Sequence, residues 1–136
     1  MRVIEVTEQM GGAQFEDVVD LGVQTLSGAL EIFDQKSWES ESKVAESTGL
    51  CAPTISLTDR DSGSVYWVSP YLIGSALTFV NEYRYRIESP GFLSRMLRKT
   101  HKSPSTRELT FKEAREGIIQ FMEGEHEKLL EHVRRT

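Results

Sequence analysis

Two periods of apolar spacing run along the chain. From Arg2 to Glu8, Val3 and Glu5 alternate with Ile4 and Val6, and the β-branched content predicts a short strand. Gly11-Gly12 ends it. From Phe15 to Phe33 the apolar residues fall at 15, 18, 19, 23, 26, 30 and 33, the spacing of a helix with one buried face. Gly22 and Gly28 oppose that helix, each costing about 1 kcal/mol against alanine in a helix interior. A break near Ser27-Gly28, with a strand from Ala29 to Phe33, is the alternative. Ser37 stands where it can cap a second helix, Trp38 to Ser47, and Gly49 stands where a helix-ending glycine belongs.

The sharpest local pattern follows. Ile55 and Leu57 alternate with Thr54, Ser56 and Thr58, Asp59 to Gly63 is turn chemistry, and Val65 to Val68 is β-rich again, which together predict a β-hairpin. Ala76 to Ile87 reads as a long strand, with Leu77, Phe79, Asn81, Tyr83, Tyr85 and Ile87 on one face and Thr78, Glu82, Arg84 and Arg86 on the other. Ser69-Pro70 offers a competing helix start. Phe92 to Lys99 is a short basic amphipathic piece, and His101 to Arg107 a polar loop. Thr110-Phe-Lys-Glu113 matches a capping box, opening a helix that buries Phe111, Ala114, Ile118, Phe121 and Met122. Gly124 kinks or ends it, and Leu129, Leu130 and Val133 carry an apolar face onward. The order of elements predicts an α+β fold: a small, mainly antiparallel sheet with a central hairpin, packed by an N-terminal and a C-terminal helix.

At 136 residues the chain fits a single domain, 1–136, and can bury roughly two thirds of its unfolded surface without disulfides or a structural metal. Its 38% apolar and 27% charged content argues against disorder. Cys51 is the only cysteine, which suits a reducing compartment. The N-terminal residues lack the apolar run of a signal peptide, and no segment is apolar for long enough to span a bilayer, so a cytoplasmic location without membrane contact is expected. Residues 1–83 carry a net charge of −9, residues 84–107 of +6 and residues 108–136 of −2.

Catalytic and metal signatures fail on inspection. Asp59-x-Asp61-x-Gly63 opens like a calcium loop, but the twelfth position is Pro70 where a bidentate glutamate is needed. His126 and His132 are six apart, about 120° from one another around a helix, so they cannot share a metal as the histidines of a zincin do. A solvated helix face accounts for them better than the alternative, a weaker metal site from Glu123, His126 and Glu127. Cys51 has no local nucleophile signature, and no dinucleotide, Walker or Gly-x-Ser-x-Gly motif occurs. No cofactor, metal or catalytic residue is assigned.

Charge points to association instead. Glu16, Asp17, Asp20, Glu31, Asp34, Glu39, Glu41 and Glu46 face only Lys36 and Lys43. They read either as solvated helix faces or as an acidic docking surface, since complementary charge speeds and orients association. Trp38, inside this stretch, is either core or an interface anchor. The expected partner-binding residues are Glu31, Asp34, Trp38, Glu39 and Glu41, with Asp59, Asp61 and Tyr66 from the hairpin. Tyr83-Arg-Tyr-Arg86, followed by Arg95, Arg98, Lys99, Lys102 and Arg107, interleaves aromatics with bases as single-stranded nucleic-acid binders do. On a strand the tyrosines and arginines face opposite ways, which disfavours one platform.

The strand and helix at the start, the hairpin Thr54-Ile-Ser-Leu-Thr to Val65-Tyr-Trp-Val68, the next strand, and the closing helix Ala114 to Gly124 resemble small immunity proteins of bacterial polymorphic-toxin systems over roughly residues 50–124. The resemblance implies a non-enzymatic protein that neutralises a basic toxin domain by binding it through an acidic surface. The competing expectations are a small enzyme or ligand-binding domain with a pocket over the sheet, using Cys51, His101 or Tyr83 and Tyr85, and a nucleic-acid-binding regulator built on residues 84–107.

Overall fold

Every strand finds an antiparallel neighbour in the computed structural model, described at residues 2–73, 76–86, 100–103 and 108–134. The strands are β1 (Ile4–Gln9), β2 (Val19–Val23), β3 (Thr54–Asp59), β4 (Val65–Ile73), β5 (Ala76–Arg86) and β6 (Thr100–Ser103), in the spatial order β2-β1-β3-β4-β5-β6. Four helices, α1 (Leu26–Gln35), α2 (Trp38–Thr48), α3 (Phe111–Met122) and α4 (His126–Arg134), complete the described fold. The architecture is α+β.

The registers explain which side chains meet the helices. Val6 lies opposite Leu57, Leu57 opposite Tyr66, and Tyr66 opposite Tyr83. Alternation along each strand therefore puts these residues, with Ile4, Ile55, Val68 and Phe79, on one face. All join one core cluster with Ala29, Phe33 and Trp38 from the first two helices and Ala114, Ile118, Phe121, Leu129 and Val133 from the last two. The opposite face carries Glu5, Thr7, Ser56, Thr58 and Trp67, all only partly buried.

The expected hairpin, the strand from Ala76 and the capping box are all present. Thr110 Oγ1 accepts from the Glu113 amide at 3.1 Å, and Glu113 Oε1 accepts from the Thr110 amide at 3.1 Å. Ala76–Arg86 is strand rather than helix, and its expected last residue, Ile87, lies outside the described residues, as does the basic piece Phe92 to Lys99. Gly124, at φ +74°, ends α3 and lets α4 turn back.

Three expectations are corrected. Phe15 to Phe33 is not one helix: Val19–Val23 pairs with β1, and a new helix starts after Thr25, whose Oγ1 accepts from the Gly28 amide at 3.2 Å. Ala29 to Phe33 is accordingly helical, so neither alternative for this segment is met in full. The polar run Thr100–Ser103 is a strand, because β5 supplies a partner for each of its residues, and only 104–107 of the expected loop lie outside the described residues. Phe111, at the first position of α3, is partly exposed; its ring lies 4.8 Å from that of Phe33 rather than inside the core.

Candidate partner-binding site

The segment joining β1 to β2 is short of regular structure but tightly fixed. Gly11 packs against α2 so closely that a Cβ there would lie 2.0 Å from the Glu41 carbonyl oxygen. Gly12, at φ +85°, adopts a left-handed conformation that disfavours side chains and donates its amide to the Cys51 carbonyl at 2.9 Å. Glu41 Oε1 accepts the Gly11 amide at 3.0 Å and the Lys36 ammonium at 2.9 Å, and the same ammonium reaches Glu8 at 2.9 Å. Gln9 Nε2 then donates to the carbonyls of Gln14 and Phe15, at 3.2 and 3.0 Å. Helix and loop thus hold Gly11 and Gly12, and Gln9 of β1 holds the carbonyls of Gln14 and Phe15.

That fixed backbone presents apolar side chains to solvent. Phe15 is 84% exposed, and Met10, Val18, Val19 and Val23 are each about half exposed. These five are most of the large apolar residues that the described surface exposes; Val44, next to Gly12, adds a sixth. Glu16, Asp17 and Asp20 lie among them, all exposed, and form no ion pair among the described residues. No lysine or arginine occurs between Met10 and Val23. Exposed apolar side chains interleaved along the chain with unneutralised carboxylates are the chemistry of an association surface for a cationic partner.

The eight residues expected to form such a surface do not come together. Trp38 is 4% exposed, with its indole N–H donating to the Phe33 carbonyl at 2.9 Å and its ring against Phe33 and Phe79, so it is core. Tyr66 is fully buried, and its hydroxyl accepts from Asn81 Nδ2 at 2.8 Å. Burial holds this phenol neutral by raising its pKa far above the ordinary value, against the opposing pull of Asn81. Glu41 is committed to Lys36 and Gly11. Asp59 is buried against Arg2, at 3.0 Å. Asp34 is clamped in a two-pronged pair by Arg115, and Glu39 meets Lys43 within α2 at 3.3 Å. Glu31 and Asp61 are exposed, but on α1 and on the hairpin turn respectively. Phe15, Val18 and Val19, which the spacing assigns to a buried helix face, are instead exposed close together in the chain, and Val23 is exposed on the opposite face of β2 from Val19. The one signal for them was Val18-Val19 beside Glu16-Asp17 and Asp20, β-branched and acidic together, ahead of a glycine.

A cleft of about 240 Å³ opens elsewhere, between the hairpin turn, β5 and the start of α4. Its polar groups are largely committed to one another. Tyr83 Oη lies 2.7 Å from His126 Nδ1, and burial raises the Tyr83 pKa against the influence of Arg2. The Arg2 guanidinium donates to Asp59 and to the Phe121 and Met122 carbonyls, tying the start of β1 to the end of α3. Gln120 Oε1, at the cleft wall, is a buried acceptor without a hydrogen-bond partner among the described residues. His126 packs on Tyr83 and Tyr85, and His132 is buried against the core side of α4. The two histidines are therefore not a solvated helix face: α4 turns this side inward after Gly124. Tyr83 is too buried to stack a base, and Arg84 is exposed on the far face of β5, so these two residues form no common platform. Arg95, Arg98, Lys99 and Arg107 lie outside the described residues.

Burial acts to raise the Asp59 pKa, but the Asp61 and Ser62 amides and the Arg2 guanidinium outweigh it and hold the carboxyl below its ordinary value. A carboxylate with a lowered folded pKa stabilises the fold above its unfolded pKa, and that stability is lost as pH falls through the folded value. Urea midpoints of the wild type are expected to fall as pH drops below about 4, and the gap between wild type and Asp59→Asn to narrow over the same window. A gap that stays constant to pH 2 would contradict the assignment.

No family model, no curated protein and no solved structure matches the chain.

Proposed function

We propose that this protein is a non-enzymatic binding protein that engages a basic protein partner through Phe15, Val18 and Val19, with Glu16, Asp17 and Asp20 supplying the complementary charge. One observation carries the reading: a phenylalanine left 84% exposed, with its carbonyl held by Gln9 and the turn before it held at Gly11 and Gly12 by Glu41 and Cys51. Exposing an aromatic ring gives up the stabilisation of burying it, of order 2 kcal/mol. A fixed backbone lowers the ordering cost when a partner covers that ring. The resemblance in element order to small immunity proteins extends the proposal. The partner is then a toxin domain with a cationic surface, which this patch covers in the cytoplasm.

Co-expression with the product of the adjacent gene tests it. The wild type is expected to co-purify with that product and to protect cells from it. Phe15→Ala is expected to weaken the complex about 30-fold, the effect of losing a central anchor worth about 2 kcal/mol. Reversing Glu16, Asp17 and Asp20 to lysine is expected to slow association and invert its salt dependence, because salt then screens a repulsion. Undiminished affinity in both variants, each with wild-type thermal stability, would refute the site.

A further inference from the structure

The partner's conformation can be read from the position of the patch at the rim of the sheet. β2 is a terminal strand, paired with β1 on one side only among the described residues. The amide of Gln24 donates to the Ile4 carbonyl at 3.0 Å, toward β1. Backbone groups alternate in direction along a strand, so Val23 turns its own N–H and C=O toward the open rim. Native edges are usually blunted, by charge, bulges or a covering element. This one is blunted in part: the register slips between Glu5 and Thr7, and Asp20 Oδ1 accepts the Gly22 amide at 2.8 Å at that irregularity. Yet Val19, on the face of its partner Glu8, and Val23, with Asp20 on the face of Glu5 and Thr7, both leave β-branched side chains about half exposed.

The charge on this rim selects between occupants. A second copy of the chain would bring a second Asp20, with its Glu16 and Asp17, to the same rim, and crowding like charges there opposes association. A cationic strand gains where a second copy loses. We infer that the occupant is an extended, lysine- or arginine-rich segment of the partner, which adds to β2 as a further strand, with its apolar residues over Val19 on one face and its cationic residues over Asp20 on the other. This inference rests on the proposed partner-binding role and names the form that the partner takes. Backbone pairing supplies affinity without regard to sequence, and the alternating cationic and apolar side chains supply the selection.

A synthetic seven-residue peptide of alternating lysine and valine, with blocked ends, is the probe. It is compared with an alternating glutamate and valine peptide and with two N-methylated forms of the lysine peptide, one methylated at odd and one at even residues. Binding is read by titration, and hydrogen exchange at Val23 is followed alongside. The lysine peptide is expected to bind at least tenfold more tightly than the glutamate peptide and to slow exchange of the Val23 amide. Methylation of one parity only is expected to weaken it at least tenfold, because only alternate amides of an added strand face β2. Equal binding of both methylated forms would overturn strand addition in favour of side-chain docking, and so would failure of the lysine peptide to bind. Either result leaves the patch itself to be judged by Phe15→Ala against the partner. Concentration-dependent dimerisation of the wild-type chain alone, abolished by Val23→Lys, would overturn the choice of occupant.

Discussion

Gly117→Ala is expected to destabilise the protein by about 3 kcal/mol, although the same change in an ordinary helix interior stabilises by about 1 kcal/mol. The reason lies in what α3 packs on. A Cβ at Gly117 would lie 2.1 Å from Tyr66 Oη and 2.8 Å from Cζ, with His132 Nε2 at 3.3 Å. Tyr66 cannot yield. It is fully buried on β4, its hydroxyl accepts from Asn81 on β5, and its ring stacks 6.1 Å from that of Phe121. Either α3 lifts from the sheet or the tyrosine leaves its rotamer; each costs about 1–3 kcal/mol, and displacing the buried hydrogen bond costs a similar amount. Tyr66→Phe removes the nearest obstructing atom together with the acceptor of Asn81. The double variant Tyr66→Phe/Gly117→Ala is therefore expected to lose at least about 1 kcal/mol less than the sum of the single losses in urea denaturation. Strictly additive losses would show that the hydroxyl is not what Gly117 accommodates.

Tyr66 and Gly117 also show where legibility ended. The hairpin, β1, β5 and the start of α3 were readable because each carries its own signal: two-residue alternation, the turn residues Asp59 to Gly63, or a reciprocal Thr-Glu cap that needs nothing beyond four residues. What those elements touch was not readable. That Gly117 faces Tyr66 across 51 positions is a fact of packing. The strand β6 was invisible for a related reason: Thr100–Ser103 is strand because β5 pairs with it, and neighbours readily override weak intrinsic preference in strands.

The binding patch was misread by a more specific mechanism. Apolar residues at 15, 18, 19 and 23 fit a helix template, and that template gives every apolar residue a buried role. The physical competitor was local. Val18-Val19 is β-branched, and Gly22, at φ +77°, is incompatible with a continuous helix. Thr25 begins the real helix by accepting the Gly28 amide. Had the helix been started at Thr25, four apolar residues would have been left with no core to enter, beside three acids. The acidic part was legible from charge alone; the aromatic centre was not, because exposure is decided by the sheet order that leaves β2 at the rim.

Trp38 and Phe15 exchange the roles that sequence offered them, and their alanine variants separate the two. Trp38→Ala is expected to cost about 3–5 kcal/mol, a large part of the 5–15 kcal/mol that holds a typical domain folded. For a chain of this size that is a fall of roughly 10–20 °C in Tm. The ring lies 5.3 Å from both Phe33 and Phe79, so its removal opens a cavity where α1, α2 and β5 meet, and the Phe33 carbonyl loses its donor. The Lys36 ammonium, 5.5 Å over the indole and nearly buried between Glu8 and Glu41, loses one wall of its site. That bridge fixes Glu41 on the Gly11 amide, so Trp38→Ala is also expected to loosen the loop carrying Phe15, seen as faster exchange at the Gly11 and Gly12 amides below the unfolding transition. Phe15→Ala is expected to shift Tm by no more than about 2 °C, since an exposed side chain contributes within about 0.5 kcal/mol. One variant thus loses stability first and binding as a consequence, while the other loses binding alone. A Trp38→Ala protein that melts with the wild type and fails to bind would return the anchor to Trp38 and remove Phe15 from the site.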